Sequence, residues 1–316
     1  MLFEMRYFVT LLFAALFTTV AVAQQPVERA TYHYATHQAT ELYLDVYSIP
    51  GSEARPCMIF AFGGGFVRGE RDNKYYHAYF NHLAEQGIVV ASIDYRLGLN
   101  NLPANLGIKG MIAAMDNAVN IAVEDLYAAT NYIIANASQW NVDTSKIMIS
   151  GSSAGAITVL EAEWLRSIGA ERAKVLPEGF KYAAVVSCAG AIFSTSGGPK
   201  FGNDIAPIML FHGTSDGNVP YNKSSIFGIG FYGSKYILKQ LRKHNTPYYF
   251  YSEEYADHSL AVLPFIDKLD LIMQFINDYV VAGKGYQQDS HAINPATPKR
   301  PTRFKVKDYL KNNYSK

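Results

Sequence analysis

Short apolar runs alternate with helical stretches along this chain, and that alternation narrows the fold to a mostly parallel sheet covered by helices on both faces. Cys57 to Phe62 and Ile88 to Ile93 are near-continuous apolar runs, the pattern of strands buried on both sides. Tyr43 to Tyr47 alternates and reads as an early strand, and further strands are expected at Ile147 to Ser150, Ala183 to Cys188, Ile208 to His212 and Tyr248 to Tyr251. Helical stretches cover Asn73 to Gln86, stopped by Gly87, then about Met111 to Ala137, Ala154 to Leu165, about Ser234 to His244 and Ile266 to Val281. The 316 residues, 49% apolar and 17% charged, suffice for one large core. A formal net charge of +1 supplies no basic field of the kind nucleic-acid phosphates require, so nucleic acid is not an expected partner.

Residues 1–23 read as an address segment. Arg6 precedes an apolar run from Tyr7 to about Val20, and Ala21-Val22-Ala23 has the small-x-small form of a cleavage site. Removal after about Ala23 leaves a chain that starts at Gln24 and is secreted or periplasmic. The run is too short for stable membrane insertion. Met5 is an alternative start that gives a shorter leader. Residues 24–283 then form the catalytic domain. Residues 284–316 form a polar, basic tail that reads as a solvated arm, with binding to an anionic surface as the other reading. Residues 98–110, rich in Gly, Asn and Leu, suit a lid, a pocket wall or a surface loop.

Gly151-Ser152-Ser153-Ala154-Gly155 lies between an expected strand and an expected helix, the setting of a nucleophile elbow with Ser153 at the bend. The residues two positions to either side must be almost free of side chain for strand and helix to approach, and both are glycine. In a chain of this length the pattern arises by chance about once in ten sequences. A second match, Gly213 to Gly217, shows the hazard: Asn218-Val219-Pro220 follows it where a helix should start, and proline disfavours that. This second match instead contributes Asp216, in a loop past the strand ending at His212. His258 follows the Tyr248 to Tyr251 strand. Ser153, Asp216 and His258 thus each fall in a loop after a different strand, placing a nucleophile, an orienting acid and a base at one sheet edge. Taken separately, Asp216 also reads as a turn residue and His258 as a helix-entry residue.

Acyl transfer by serine also needs donors for a developing oxyanion. Phe62-Gly63-Gly64-Gly65-Phe66 follows a buried strand, so Gly64 and Gly65, with Ala154, are the candidate amides. A phosphate cradle is excluded because Phe66-Val67-Arg68 stands where Gly-Lys-Ser/Thr would be required. Phe66 and Ser152 are the candidate substrate-binding residues.

Together with Ser92-Ile93-Asp94-Tyr95-Arg96-Leu97 and His212 to Asp216, these motifs resemble the carboxylesterase and hormone-sensitive-lipase-like branch of the α/β-hydrolases over residues 40 to 282. The resemblance implies a central sheet of about eight strands and a serine carboxylesterase without metal or organic cofactor. It assigns the triad to Ser153, Asp216 and His258 and the oxyanion donors to Gly64, Gly65 and Ala154. Where many members have His before the glycines, this chain has Phe62. Asp94-Tyr95-Arg96 reads as strand-end scaffolding.

Other residues carry less. His33 and His37, and His77 and His82, lack the spacing and carboxylate of a zinc site. His212 reads as packing under the active-site rim. Cys57 opens one strand and Cys188 closes another, too far apart to bridge, so two free thiols are expected. The 23 Tyr, 18 Phe and 2 Trp suit core packing first and a sugar platform second. The expected substrate is a small-molecule or glycan-linked ester with a short acyl, acetyl or feruloyl group. A prolyl-oligopeptidase-like peptidase and a non-catalytic glycan-associated protein remain open alternatives. Because histidine must be neutral to act as a base, activity is expected to fall on the acid side of about pH 6 to 7.

Overall fold

The computed structural model describes residues 26–103 and 106–304. The expected leader, residues 1–23, lies outside the described residues, as does the end of the basic tail, residues 305–316. In chain order the strands are β1 (Glu28–His37), β2 (Thr40–Ser48), β3 (Arg55–Ala61), β4 (Val89–Ile93), β5 (Val142–Ser152), β6 (Ala184–Cys188), β7 (Ala191–Ser194), β8 (Ile208–Gly213), β9 (Lys223–Ile226), β10 (Ile229–Gly233), β11 (Tyr248–Glu253) and β12 (Gln287–Ala292). The helices are α1 (His77–Glu85), α2 (Ile108–Ala135), α3 (Ala154–Ser167), α4 (Ser234–Lys243), α5 (Pro264–Asp267) and α6 (Leu269–Phe275).

Nine strands make the main sheet, in the order β1-β2-β4-β3-β5-β6-β8-β11-β12. Pairing is antiparallel only at β1/β2 and β2/β4, and parallel from β4 to β12. β4, β6 and β8 are buried at every position, which is why they are written in apolar and small residues without alternation. Helix α2 buries Met115, Ala118, Val119, Ala122, Val123, Leu126 and Ile133, the stripe of a 3.6-residue period. It packs on α3, whereas α1, α5 and α6 pack with one another.

The register lines up the strand ends. Ala61 pairs with Gly151, Gly151 with Ser187, Ser187 with Leu210, and Leu210 with Phe250. All parallel strands leave this row in one direction, so the loops after β3, β5, β8 and β11 converge on one edge of the sheet.

The structure departs from the sequence reading at the margins. The main sheet has nine strands where about eight were expected, and β7, β10 and β9 form a separate three-stranded sheet. Part of the segment read as a solvated tail is the edge strand β12, paired in parallel with β11. Its sequence, Gln-Gln-Asp-Ser-His-Ala, is polar because most of it is exposed, which removes the hydrophobic signal. The last expected helix is interrupted between α5 and α6 at Lys268, one turn after Pro264. Cys57 and Cys188 are buried free thiols, opposite Ile147 and Ser152 at the two ends of β5's buried run.

Candidate active site

Ser153 sits between β5 and α3 with φ 50° and ψ −111°, a left-handed backbone that a non-glycine residue holds only under constraint. The constraint is visible. Ser153 N–H donates to the Cys188 carbonyl at 2.9 Å, and its own carbonyl accepts from Ile157 N–H at 2.9 Å in the first turn of α3. A Cβ at Gly151 would lie 2.3 Å from the Gly155 carbonyl oxygen, and one at Gly155 2.0 Å from that of Ala61. The two glycines therefore let α3 start directly against β5 and β3.

Ser153 Oγ is 2.7 Å from His258 Nε2, and His258 Nδ1 is 2.7 Å from Asp216 Oδ2. His258 begins a 3-10 turn, His258–Ala261, in which the Asp257 side chain accepts from the Ser259 amide. The Asp216 side chain is fully buried, and its Oδ1 accepts from the amides of Asn218 at 2.8 Å and Val219 at 2.9 Å. Burial pushes the Asp216 carboxyl up, but neighbouring His258 and hydrogen bonds from His212 and His258 outweigh it and hold the group well below the usual carboxylate range. An ionised Asp216 only accepts, so Nδ1 of His258 carries the proton and Nε2 is left to accept from Ser153.

His212, read from sequence as a packing residue under the rim, is buried behind this pair. Its Nε2 lies 3.1 Å from the Val219 carbonyl and 3.4 Å from Asp216 Oδ2, and its Nδ1 lies 2.8 Å from Ser234 Oγ. The sequence places it under the rim but does not mark its contact with Asp216. The second G-x-S-x-G leads into no helix, and its Gly213 has a different use: a Cβ there would lie 2.3 Å from the Ala256 carbonyl, on the loop carrying His258.

Gly64 and Gly65 have φ of +136° and +67°, so the chain after β3 turns in a way side chains resist. The Gly64 carbonyl accepts from Val67 and Arg68, both at 3.2 Å, while the Gly64 and Gly65 amides have no acceptor among the described residues. Ala154 is the first residue of α3, where helix amides are left without an internal partner. Phe62, not histidine, precedes the glycines. The Phe62 ring stacks on Tyr95 with centroids 4.4 Å apart, and Tyr95 donates its hydroxyl to the Phe62 carbonyl at 2.7 Å. The Asp94-Tyr95-Arg96 element is thus scaffolding: Asp94 pairs with Arg71, and Arg96 with Asp125.

Ser153, His258, Gly64, Gly65 and Ala154 open onto one cavity of about 660 Å³. Phe66 and Ser152 also line it, but each is only 1% exposed, so both are wall more than contact surface. Tyr75, Tyr76, Met115, Ile157, Phe231 and Val262 add apolar wall, and Arg68, Glu70, Asn73 and Asn218 add polar groups. Phe231 lies in the hairpin β9–β10, whose glycine-rich, half-exposed sequence shows no strand period. Burial pushes the thiol of Cys188 far up, which leaves it unreactive. Among the described residues no His, Cys, Asp or Glu cluster could hold a metal, and no helix is long and apolar enough to cross a membrane.

Residues 44–191 match the BD-FAE family model. Over 78% of its length the chain superimposes on 93% of Thermogutta terrifontis esterase 2 phosphoramylated by tabun, with a TM-score of 0.59 and 20% identity. The chain has the α/β-hydrolase fold. The chain is 31% identical to fumonisin B1 esterase of Sphingopyxis macrogoltabida over 36% of its own length and 21% of that protein. It is 28% identical to esterase LipI of Mycobacterium tuberculosis over 38% of its own length and 32% of that protein. The matches thus span under a third of these two relatives. They agree with the carboxylesterase branch that the motifs resemble.

Proposed function

We propose that the chain is a serine carboxylesterase that works through an acyl-enzyme at Ser153. The reading is carried by one observation: the relay from Ser153 Oγ through His258 to buried Asp216, with 2.7 Å at each step. His258 Nε2 takes the proton of Ser153 as Oγ attacks the ester carbonyl, then gives it to the departing alcohol. Water activated by the same nitrogen releases the acid. Asp216 fixes the tautomer and stabilises the imidazolium, and the amides of Gly64, Gly65 and Ala154 receive the charge on the carbonyl oxygen. These steps call for no cofactor.

A cavity of about 660 Å³ is far larger than an acetyl group, so the rest of the substrate shares it. Aromatic walls beside Arg68, Asn73 and Asn218 suit a short or aromatic acyl group on a polyhydroxylated alcohol, of the acetyl or feruloyl sugar-ester type. The leader-like residues 1–23 support action outside the cytoplasm.

Turnover of nitrophenyl acetate, butyrate, octanoate and feruloyl esters, with a matched anilide, tests this. The expected result is hydrolysis of short or feruloyl esters well ahead of the anilide, lost about 10⁶-fold in Ser153→Ala. Normal hydrolysis by Ser153→Ala overturns the assignment, and preference for the anilide points to a peptidase.

A further inference from the structure

We propose that Arg300, in the segment after β12, is a positioning residue that ties together the loops carrying the acid and the base; the inference rests on the esterase reading above. Arg300 contacts the residue immediately before each of them. Its guanidinium pairs with Asp257 Oδ2, and its main-chain carbonyl accepts from Ser215 Oγ at 3.3 Å. Asp257 precedes His258, and Ser215 precedes Asp216.

Each contact leads to the reacting groups by a short path. Asp257 Oδ1 accepts from the Ser259 amide at 3.0 Å and caps the turn that begins at His258. With Arg300 on its other oxygen, the capping carboxylate has one orientation, and so does the entry of the chain into His258. Ser215 is 9% exposed, and its amide donates to the Ala256 carbonyl at 3.0 Å, so the hydroxyl contact with Arg300 adds a second tie to a loop pair already joined once. The segment is delivered by β12. Glu254 N–H donates to the Ala292 carbonyl at 2.9 Å, and Ser252 Oγ lies 2.9 Å from His291 Nδ1.

The Arg300 and Asp257 side chains are 42% and 45% exposed. Ion pairs this open add little to stability, so the consequence lies in geometry and local charge. Asp216 on the β8 loop contacts the His258 ring, His212 lies behind Asp216, Asp257 precedes His258 on its own loop and pairs with Arg300 from the tail, and Arg68 and Glu70 line the same cavity. Removing the Arg300 cation leaves Asp257 uncompensated beside His258, which favours the protonated, inactive ring.

The test is steady-state hydrolysis of nitrophenyl acetate from pH 5 to 8 by the full chain and its variants. Arg300→Ala is expected to lower kcat about 3–10-fold with KM within about twofold and to move the acid limb to higher pH. Arg300→Lys restores the acid limb and most of kcat, and Ser215→Ala lowers kcat without moving that limb. An Arg300→Ala enzyme with wild-type kcat and acid limb overturns the inference while leaving the esterase reading intact. A change in KM alone overturns it in favour of a substrate contact. A kcat loss in Arg300→Ala that Arg300→Lys does not relieve, with the limb unmoved, overturns it in favour of general loosening. If the wild type itself shows no serine-dependent turnover, the esterase reading falls and this inference with it.

Discussion

Ser153 keeps a left-handed backbone because its neighbours leave no other path, and the neighbours that matter are glycines. Gly155→Ala places a methyl 2.0 Å from the Ala61 carbonyl oxygen, main chain that cannot swing aside. The variant is expected to lose about 2–4 kcal/mol of stability and most labelling of Ser153. An unchanged urea midpoint contradicts this. Asp216 is the second residue whose setting makes a forecast. Its carboxyl is held low in the fold despite burial, so the stability it supplies is present above the ordinary aspartate range near pH 3.9 and lost as pH falls through the folded value. Asp216→Asn is therefore expected to be less stable than wild type at pH 7, with the gap closing towards pH 3, and to lose about 10⁴-fold in turnover. A gap independent of pH contradicts the charge argument. These residues were legible in the sequence because sterics and chain order mark them. The burial of His212 under the rim was legible too, but its contact with Asp216 and the place of Arg300 were not, since neither a histidine's partner nor a basic tail residue is marked by spacing.

At the scale of elements, the loop after β3 depends on a strand-end neighbour. Tyr95→Phe keeps the ring stack on Phe62 and removes the hydroxyl from a buried carbonyl. Stability is expected to fall by about 1–2 kcal/mol, and kcat to fall more than KM rises, because the loop carries the Gly64 and Gly65 amides. A change in KM alone contradicts that placement. Helix α3 carries another marker. Burial pushes the Glu161 carboxyl well above the ordinary range, the Phe193 amide offsets part of this, Asp116 adds to it and Arg172 opposes it. A raised value means that the stabilisation is complete below about pH 4.3 and lost as pH rises towards the folded value. Glu161→Gln stays neutral, so its melting temperature is expected to gain on wild type from pH 5 to pH 8. A constant difference across that range contradicts the assignment. The apolar strands and α2 were readable from period and burial. β12 was not, because a polar edge strand has no buried face to write into the sequence, and the glycine-rich β9–β10 hairpin was equally silent.

For the whole molecule, the parallel sheet does the gathering. Ser153 and His258 lie 105 residues apart along the chain with Asp216 between them, and the aligned row from Ala61 to Phe250 brings their loops to one edge. Nothing in composition or spacing marks the small second sheet. Whether that edge activates a serine is the claim on which the reaction, the substrate and the role of Arg300 all depend. Incubation of the full chain with a fluorophosphonate, followed by mass mapping of the peptides, answers it in one step. The account predicts one adduct per chain, on Ser153, abolished in His258→Ala. An unmodified Ser153 in folded wild-type protein, or equal labelling of Ser152 and Ser215, contradicts it.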